Sequence, residues 1–377
     1  MGADFDVVVV GAGPAGAVAA TVLARAGARV ALFERARFPR DKLCGDTVNP
    51  GALAILSRLG LASAAGTAPI EGMVVTGERG VRIAASYPHG TAGRAILRRT
   101  FDHALVEAAA AAGVHVADAV TVRAVTPAPH GGRPTVQTGL RGGATEQIAP
   151  RLVIAADGRT SRLARSLGLA RHPAAPRRWA VGAYFTAVRG TTMCGEMHIR
   201  RGRYIGVAPL PGGVTNVCVV TADRTALREP RALLRGALSA EPELRERFAA
   251  ARQESLPVML GPLAVDCARA GVPGVLLAGD AAGFIDPMTG DGLRFALRGG
   301  ELAARAALYA LEHGAADAHV RLARARAREF RTKWRFNRAL RSLVASPGAI
   351  RAAALLATWL PSGVEAAVLY AGDVTVA

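Results

Sequence analysis

The stretch DFDVVVV (residues 4–10) is a β-branched apolar run bounded by turn signals, which predicts a buried strand. GAGPAGAVAATVLARAG follows, glycines first and then an alanine-rich helical pattern that stops at Gly27; ARVALFER predicts a second strand. Strand, tight turn, helix and strand have the crossover length of a parallel βαβ unit. GALAILSRLG (51–60) has helical spacing and ends at Gly60. Between 73 and 99, MVVTG, VRIAAS and GRAILRR read as strands, and FDHALVEAAAAAG as a helix. VHVADAVTVRAVTP, PTVQTGL and RLVIAADG predict strands with Gly and Pro between them. Alternation over 179–221 predicts sheet, and 229–252 helices. GVLLAGD is a short buried strand, 292–312 an alanine-rich helix, and 316–345 a long arginine-rich helix followed by Pro347 and a shorter helix. No internal repeat or long linker interrupts the pattern.

Composition narrows the class. With 377 residues, 51% of them hydrophobic, the chain can bury a sizeable core. Its four cysteines, Cys44, Cys194, Cys218 and Cys267, lie far apart, and no CxxC or His/Cys cluster suggests a metal site. A reducing compartment fits that usage. No secretory pattern opens the chain and no apolar stretch has the length of a spanning helix, so a cytoplasmic location is expected. The formal net charge is +18, almost all arginine; Lys42 and Lys333 are the two lysines.

Gly11-Ala12-Gly13-Pro14-Ala15-Gly16 is a GxGxxG that follows a strand and opens a helix, the context in which it binds a dinucleotide. Gly11 makes the turn, Gly13 lets backbone approach a pyrophosphate, and Gly16, beside Ala15, permits close helix–strand packing. The helix N-terminus offers free N–H groups and partial positive charge. Glu34, with Arg35 next to it, ends the second strand about twenty residues on, where a carboxylate holds ribose hydroxyls.

Two further segments have the same strand–turn–helix form. VIAADGRTSRLARSLGL places Asp157 and Gly158 at a strand end, and GVLLAGDAAGFIDPMTGDGLRFAL does so with Gly279 and Asp280. A second carboxylate there suits a long ligand crossing several strand ends: Asp280 would bond ribitol hydroxyls. Pro287, Gly290, Asp291 and Gly292 would bring backbone and a helix N-terminus to an isoalloxazine ring, where partial positive charge stabilises reduced flavin.

Taken in order, GxGxxG, ADG and GDAAGFIDPMTGDG resemble the FAD-dependent superfamily of aromatic hydroxylases, flavin halogenases and geranylgeranyl reductases, over nearly the whole chain. RRTFDHAL resembles that superfamily's R-x-x-F-D element, which implies that Arg98 lies near the flavin. The loop FPRDKLCGD (38–46) resembles the geranylgeranyl reductase branch, where a cysteine before Gly-Gly or Gly-Asp sits over the flavin. That makes Cys44 and Lys42 the candidate catalytic residues. Their basic neighbours, Arg40 and Lys42, and a helix dipole are expected to favour a thiolate. The halogenase signature GWxWxIP is not in the chain. The family's Tyr-x-Trp-x-Phe-Pro strand has its counterpart in RYIGVAP: Tyr204 and Pro209 match, but Gly206 and Ala208 stand where tryptophan and phenylalanine are expected, which opens volume beside the ring. Tyr184, Tyr204, Gly206, Pro209 and Met288 are candidate walls of a substrate pocket.

The architecture implied is α/β: a glutathione-reductase-type, Rossmann-like FAD domain from 1–72, 98–178 and 256–311, a smaller sheet-based substrate domain from 73–97 and 179–255, and C-terminal helices over 312–377. The leading expectation is an FAD-dependent oxidoreductase that passes hydride to a lipophilic or conjugated small molecule. Alternatives are a monooxygenase using O₂ through a C4a-hydroperoxide, and a flavin electron carrier. NAD(P)H is the expected transient donor. The segment RLARARAREFRTKWRFNRALR (321–341) has Phe330, Trp334 and Phe336 among its arginines. It reads first as a solvated helix whose aromatics pack on the FAD domain, and second as a peripheral membrane contact. No nucleic-acid fold signature accompanies it.

Overall fold

A computed structural model of the chain describes residues 4–127, 132–139, 145–346, 348–349, 352 and 359–374. The four valines Val7–Val10 form a wholly buried strand, and the run pairs in parallel with Val30–Phe33 on one side and Leu152–Ala155 on the other. Val275–Leu277 and His115–Ala117 extend the sheet in parallel at either side, and Gly271–Val272 adds an antiparallel edge. These strands carry apolar side chains on both faces, as a sheet covered on both faces requires. The helices Pro14–Arg25, Arg98–Ala111 and Gly292–His313 cover one face around a single apolar cluster, while Val120, Val125, Val136, Leu163 and Leu169 cover the other.

Helix Pro14–Arg25 crosses Gly292–His313 at Gly300, where a Cβ would run into the carbonyl of Ala15. The absence of a side chain there sets how closely the dinucleotide turn approaches the C-terminal helices.

The second sheet has eight strands, drawn from Gly72–Thr76, Arg82–Ser86, Trp179–Thr186, Cys194–Arg200, Arg203–Pro209, Thr215–Thr221, Arg252–Gln253 and Val258–Leu260. It therefore reaches past residue 255, because Val258–Leu260 pairs with Trp179–Thr186. Gly93–Ala95 leaves it and pairs instead with Thr47–Val48 and Pro69–Ile70. Arg98 and Arg99, read as strand, begin the helix that runs to Ala111. Thr145–Ile148 is a strand that the sequence pattern missed: its side chains are mostly exposed, so no apolar alternation marks it.

Helix Ala318–Ala345 lays Phe330 and Trp334 on the first domain, Phe330 edge-on to Phe295, while Phe336 meets Tyr370 of the helix Pro361–Ala371. Phe330 and Trp334 thus pack on the first domain as expected, whereas Phe336 packs on the C-terminal helix instead. Pro347 lies outside the described residues.

Candidate active site

The C-terminal ends of the strands Val7–Val10, Val30–Phe33, Leu152–Ala155 and Val275–Leu277 all open on one cleft, at the point where strand order reverses. Gly11 has φ +96°, and a Cβ on it would lie 2.5 Å from the carbonyl oxygen of Ala156. No residue with a side chain fits there. Gly16 packs on the carbonyl of Gly11 in the same way. Gly13 differs: its open side meets only the guanidinium of Arg40, at 3.8 Å. That leaves a backbone approach over the first turn of Pro14–Arg25, with the Pro14 ring at the first helical position.

Glu34 is buried and accepts hydrogen bonds from the N–H of Ala12 and of Ala36, both at 3.0 Å, so one carboxylate ties the glycine turn to the loop that follows. Arg35 beside it is exposed. The Asp157 carboxylate accepts from the N–H of Arg162 at the start of the next helix, which Ser161 caps, while Gly158, φ +80°, sits beside the Lys42 ammonium. Gly279 takes φ +59° against Ala15.

Asp280 is half-buried at the cleft. Burial pushes its carboxyl up, opposed by the charges of Lys42, Arg159 and Arg98. Lys42 is exposed to the cleft, yet protein surrounds it. Lost hydration, with the Arg98 charge, pushes its ammonium down. Arg98 is buried and holds Asp102 through two hydrogen bonds of 2.7 and 2.8 Å.

Two motif residues have side chains turned elsewhere. Asp291 is buried against Lys333, Asn49 and Asn337, so what it can present to the cleft is backbone. Pro287 and Met288 form a short turn that ends in Gly290, φ +68°, before Gly292 starts the long helix. Asp286 caps that turn and also accepts from the Tyr204 hydroxyl at 2.6 Å and from Arg178 at 3.0 Å. Tyr204 is thus a buried clamp between the second sheet and the turn before the long helix rather than an open wall.

Cys44 faces the second sheet. Across that sheet Gly182, Cys218 and Gly206 stand in register, with Tyr184, Asn216 and Ala208 in the next row. Leu43 fills the space over Gly182; Gly206 has nothing within 3.8 Å of where its Cβ would be, so the trough stays open there. Pro209 closes its strand. The carbonyl of Cys44 accepts from Asn216 Nδ2 at 2.7 Å and from the Cys218 thiol at 3.4 Å.

The expected thiolate is not what this site favours. Burial raises the Cys44 thiol and outweighs the pull of Arg98, which reaches the sulfur. Arg40, counted on as a free cation, is bound to Asp102 at 2.9 Å. Cys44 is a thiol.

Sequence reasoning passed over Asp46. It is wholly buried with φ +53°, and Oδ2 accepts from the Tyr184 hydroxyl at 2.8 Å and from Asn216 at 2.6 Å. Only a non-glycine in the left-handed region could have hinted at it; its partners are too distant in sequence to see.

A parallel sheet with a glycine turn at its switch point, a second carboxylate across the cleft and a buried arginine between them define an FAD-dependent oxidoreductase. The chain belongs to the FAD binding domain family, whose model matches residues 4–333. It is 34% identical to a menaquinone reductase of Mycolicibacterium smegmatis over 81% of this chain and 76% of that one. With digeranylgeranylglycerophospholipid reductase 1 of Methanopyrus kandleri it shares 31% over 82% of each. A geranylgeranyl bacteriochlorophyll reductase-like structure from Thermoplasma acidophilum has the same fold, TM-score 0.78 at 22% identity, over 91% of this chain and 88% of that one. No helix among the described residues is long and apolar enough to cross a membrane.

Proposed function

We propose that the chain is a reductase of an unsaturated, lipophilic small molecule, an isoprenoid or prenylated quinone of the kind its relatives' names carry. The observation that supports it most is Cys44: burial favours its thiol form beside Arg98, its carbonyl is fixed to Asn216 and Cys218 of the second sheet, and Gly206, in register with Cys218, leaves space there. Bound FAD supplies the two electrons as hydride. The chain's own residues do the rest. The turn at Gly13 and the helix behind it receive the pyrophosphate, Glu34 the ribose, and Asp280 the ribitol. Cys44 gives a proton to the substrate, and Arg98 stabilises the thiolate left behind. The single GxGxxG is taken by FAD, so NAD(P)H docks transiently as donor.

The test is anaerobic mixing of the photoreduced holoenzyme with geranylgeraniol and, separately, a short-tailed menaquinone. Flavin reoxidation with a product heavier by two hydrogens is expected. No reoxidation until O₂ is admitted, followed by a substrate that gains an oxygen atom, would replace this reading with a hydroxylase.

Arg321, Arg324, Arg328, Arg331, Arg335 and Arg338 are exposed at spacings of three and four, which puts them on one face of the helix Ala318–Ala345. This face supports docking on anionic lipid, where each basic residue contributes about 1 kcal/mol. Sedimentation with phosphatidylglycerol vesicles, lost in phosphatidylcholine or in high salt, is the expected result.

A further inference from the structure

Asp46 has an asymmetric set of partners. Oδ2 takes two donors, the Tyr184 hydroxyl and Asn216 Nδ2, while Oδ1 is buried with no partner among the described residues. That is a poor setting for an anion, whose charge is shared by both oxygens. An unpartnered oxygen costs a buried anion more than a neutral acid, in which Oδ2 would accept the two donors as the carbonyl oxygen and Oδ1 would carry the proton. The backbone N–H of Asp46 points to the Cys44 sulfur. Between the two residues lies Gly45, where a Cβ would meet nothing within 4 Å. Gly45 is exposed, so solvent reaches the outer side of the turn that joins the two residues.

We propose that Asp46 is held as the neutral acid and returns to Cys44 the proton that the thiol gives to substrate. The inference rests on the reductase reading above. Hydride adds to one carbon of the substrate double bond. The neighbouring carbon takes the Cys44 proton, its C–H bond forming as S–H breaks. The thiolate, held by Arg98, then takes the proton of Asp46, S–H forming as O–H breaks. The Asp46 carboxylate is reprotonated by solvent. Substrate is reduced by two electrons, the flavin oxidised by two, and Cys44 and Asp46 end as they began. Asp46 thus acts through Cys44 and need not touch substrate.

The surroundings agree. Burial raises the Asp46 carboxyl to about 7, against the hydrogen bonds of Tyr184 and Asn216 and the charge of Arg98, with Asp102 pushing the same way as burial. The other titratable groups facing it are the thiols of Cys44 and Cys218, both raised by burial, and the Tyr184 phenol, raised by burial and by Asp46 itself. Each of these stays protonated where Asp46 titrates, which leaves Asp46 as the group that can exchange a proton near neutral pH.

Infrared titration of the apoprotein, labelled with ¹³C-aspartate, reads the acid without any chemistry at the flavin. A protonated-carboxyl band that disappears near neutral pH, absent in Asp46→Asn, is expected. Tyr184→Phe removes a hydrogen bond that favours the anion, so it should move that midpoint up. A band missing at pH 5 in the wild-type protein overturns the inference. Asn at this position reproduces the neutral acid's shape, so folding and FAD loading should survive. Anaerobic turnover of geranylgeraniol by the Asp46→Asn holoenzyme should then fall at least tenfold in steady state. The first turnover, which uses the proton already on Cys44, should be retained. Loss of the first turnover as well, or an unchanged steady-state pH profile, refutes proton return while leaving the reductase reading intact. If wild-type enzyme reduces neither geranylgeraniol nor the short-tailed menaquinone, both fall together.

Discussion

Glu34 ties two segments together: its carboxylate accepts from the N–H of Ala12 in the glycine turn and from the N–H of Ala36 in the loop that follows. Under the proposed function the same carboxylate would also receive ribose hydroxyls at the strand end. Glu34→Ala is expected to weaken FAD binding by about tenfold or more, since hydrogen bonds to a charged acceptor are worth roughly 1.5–3 kcal/mol each; titration of apoprotein with FAD, followed by flavin fluorescence, measures it. At this scale the sequence was readable where the constraint is local. Gly11, Gly16 and Glu34 fall within one βαβ unit, and spacing alone places them. Cys44 was found by its loop, but its protonation was misjudged, because burial and the Arg40–Asp102 pair come from the tertiary structure. Asp46 was missed for the same reason. Asp291 sits in a motif that looks like a ligand, yet only the folded chain shows Lys333, one of two lysines, reaching it from the C-terminal helix.

Helices and strands were legible wherever an apolar face recurs at a fixed period. The dinucleotide unit, the central strands and both long C-terminal helices follow that rule, and the exposed strand Thr145–Ile148 does not. Helix crossings were not legible, because they depend on which small residues meet. Gly300 against Ala15 is the clearest case. Gly300→Ala is expected to lower the midpoint of thermal unfolding and to weaken FAD binding, because the Ala15 carbonyl belongs to the glycine turn. The overpacking cost is about 1–3 kcal/mol. Gly236 sits on the exposed face of the helix Pro230–Ser239, in its interior and with nothing within 4 Å, so Gly236→Ala should be neutral or stabilise by up to about 1 kcal/mol. Thermal scans of the two variants separate the packing effect from simple helix propensity.

Over the whole molecule, two buried glutamates hold elements together through arginines. Glu301 binds Arg58, Arg298 and Arg305; Glu196 binds Arg247 and His198. Burial works to raise both carboxyls, but these hydrogen bonds and charges outweigh it and hold each at about 2. Since the folded value lies below the unfolded one, each pair stabilises the fold fully above about pH 4.5 and loses that contribution as pH falls towards 2. Glu301→Gln should be less stable at pH 7 and should lose less on acidification than the wild-type protein, as denaturant melts at several pH values would show. Asp46 has the opposite sign: its folded value is raised, so its contribution is complete below the unfolded value of 3.8 and declines as pH rises to about 7. Asp46→Asn should remove that decline between pH 3.8 and about 7 in the same melts. Lys333 adds a consequence of another kind. Its ammonium joins Asp291, in the turn before the flavin-side helix, to Asp373 and to the carbonyls of Tyr370 and Ala371. Residues 370–373 are therefore tied to the turn before Gly292, and if that turn receives FAD as proposed, a dye placed next to Val374 is expected to report FAD loading without exciting the flavin.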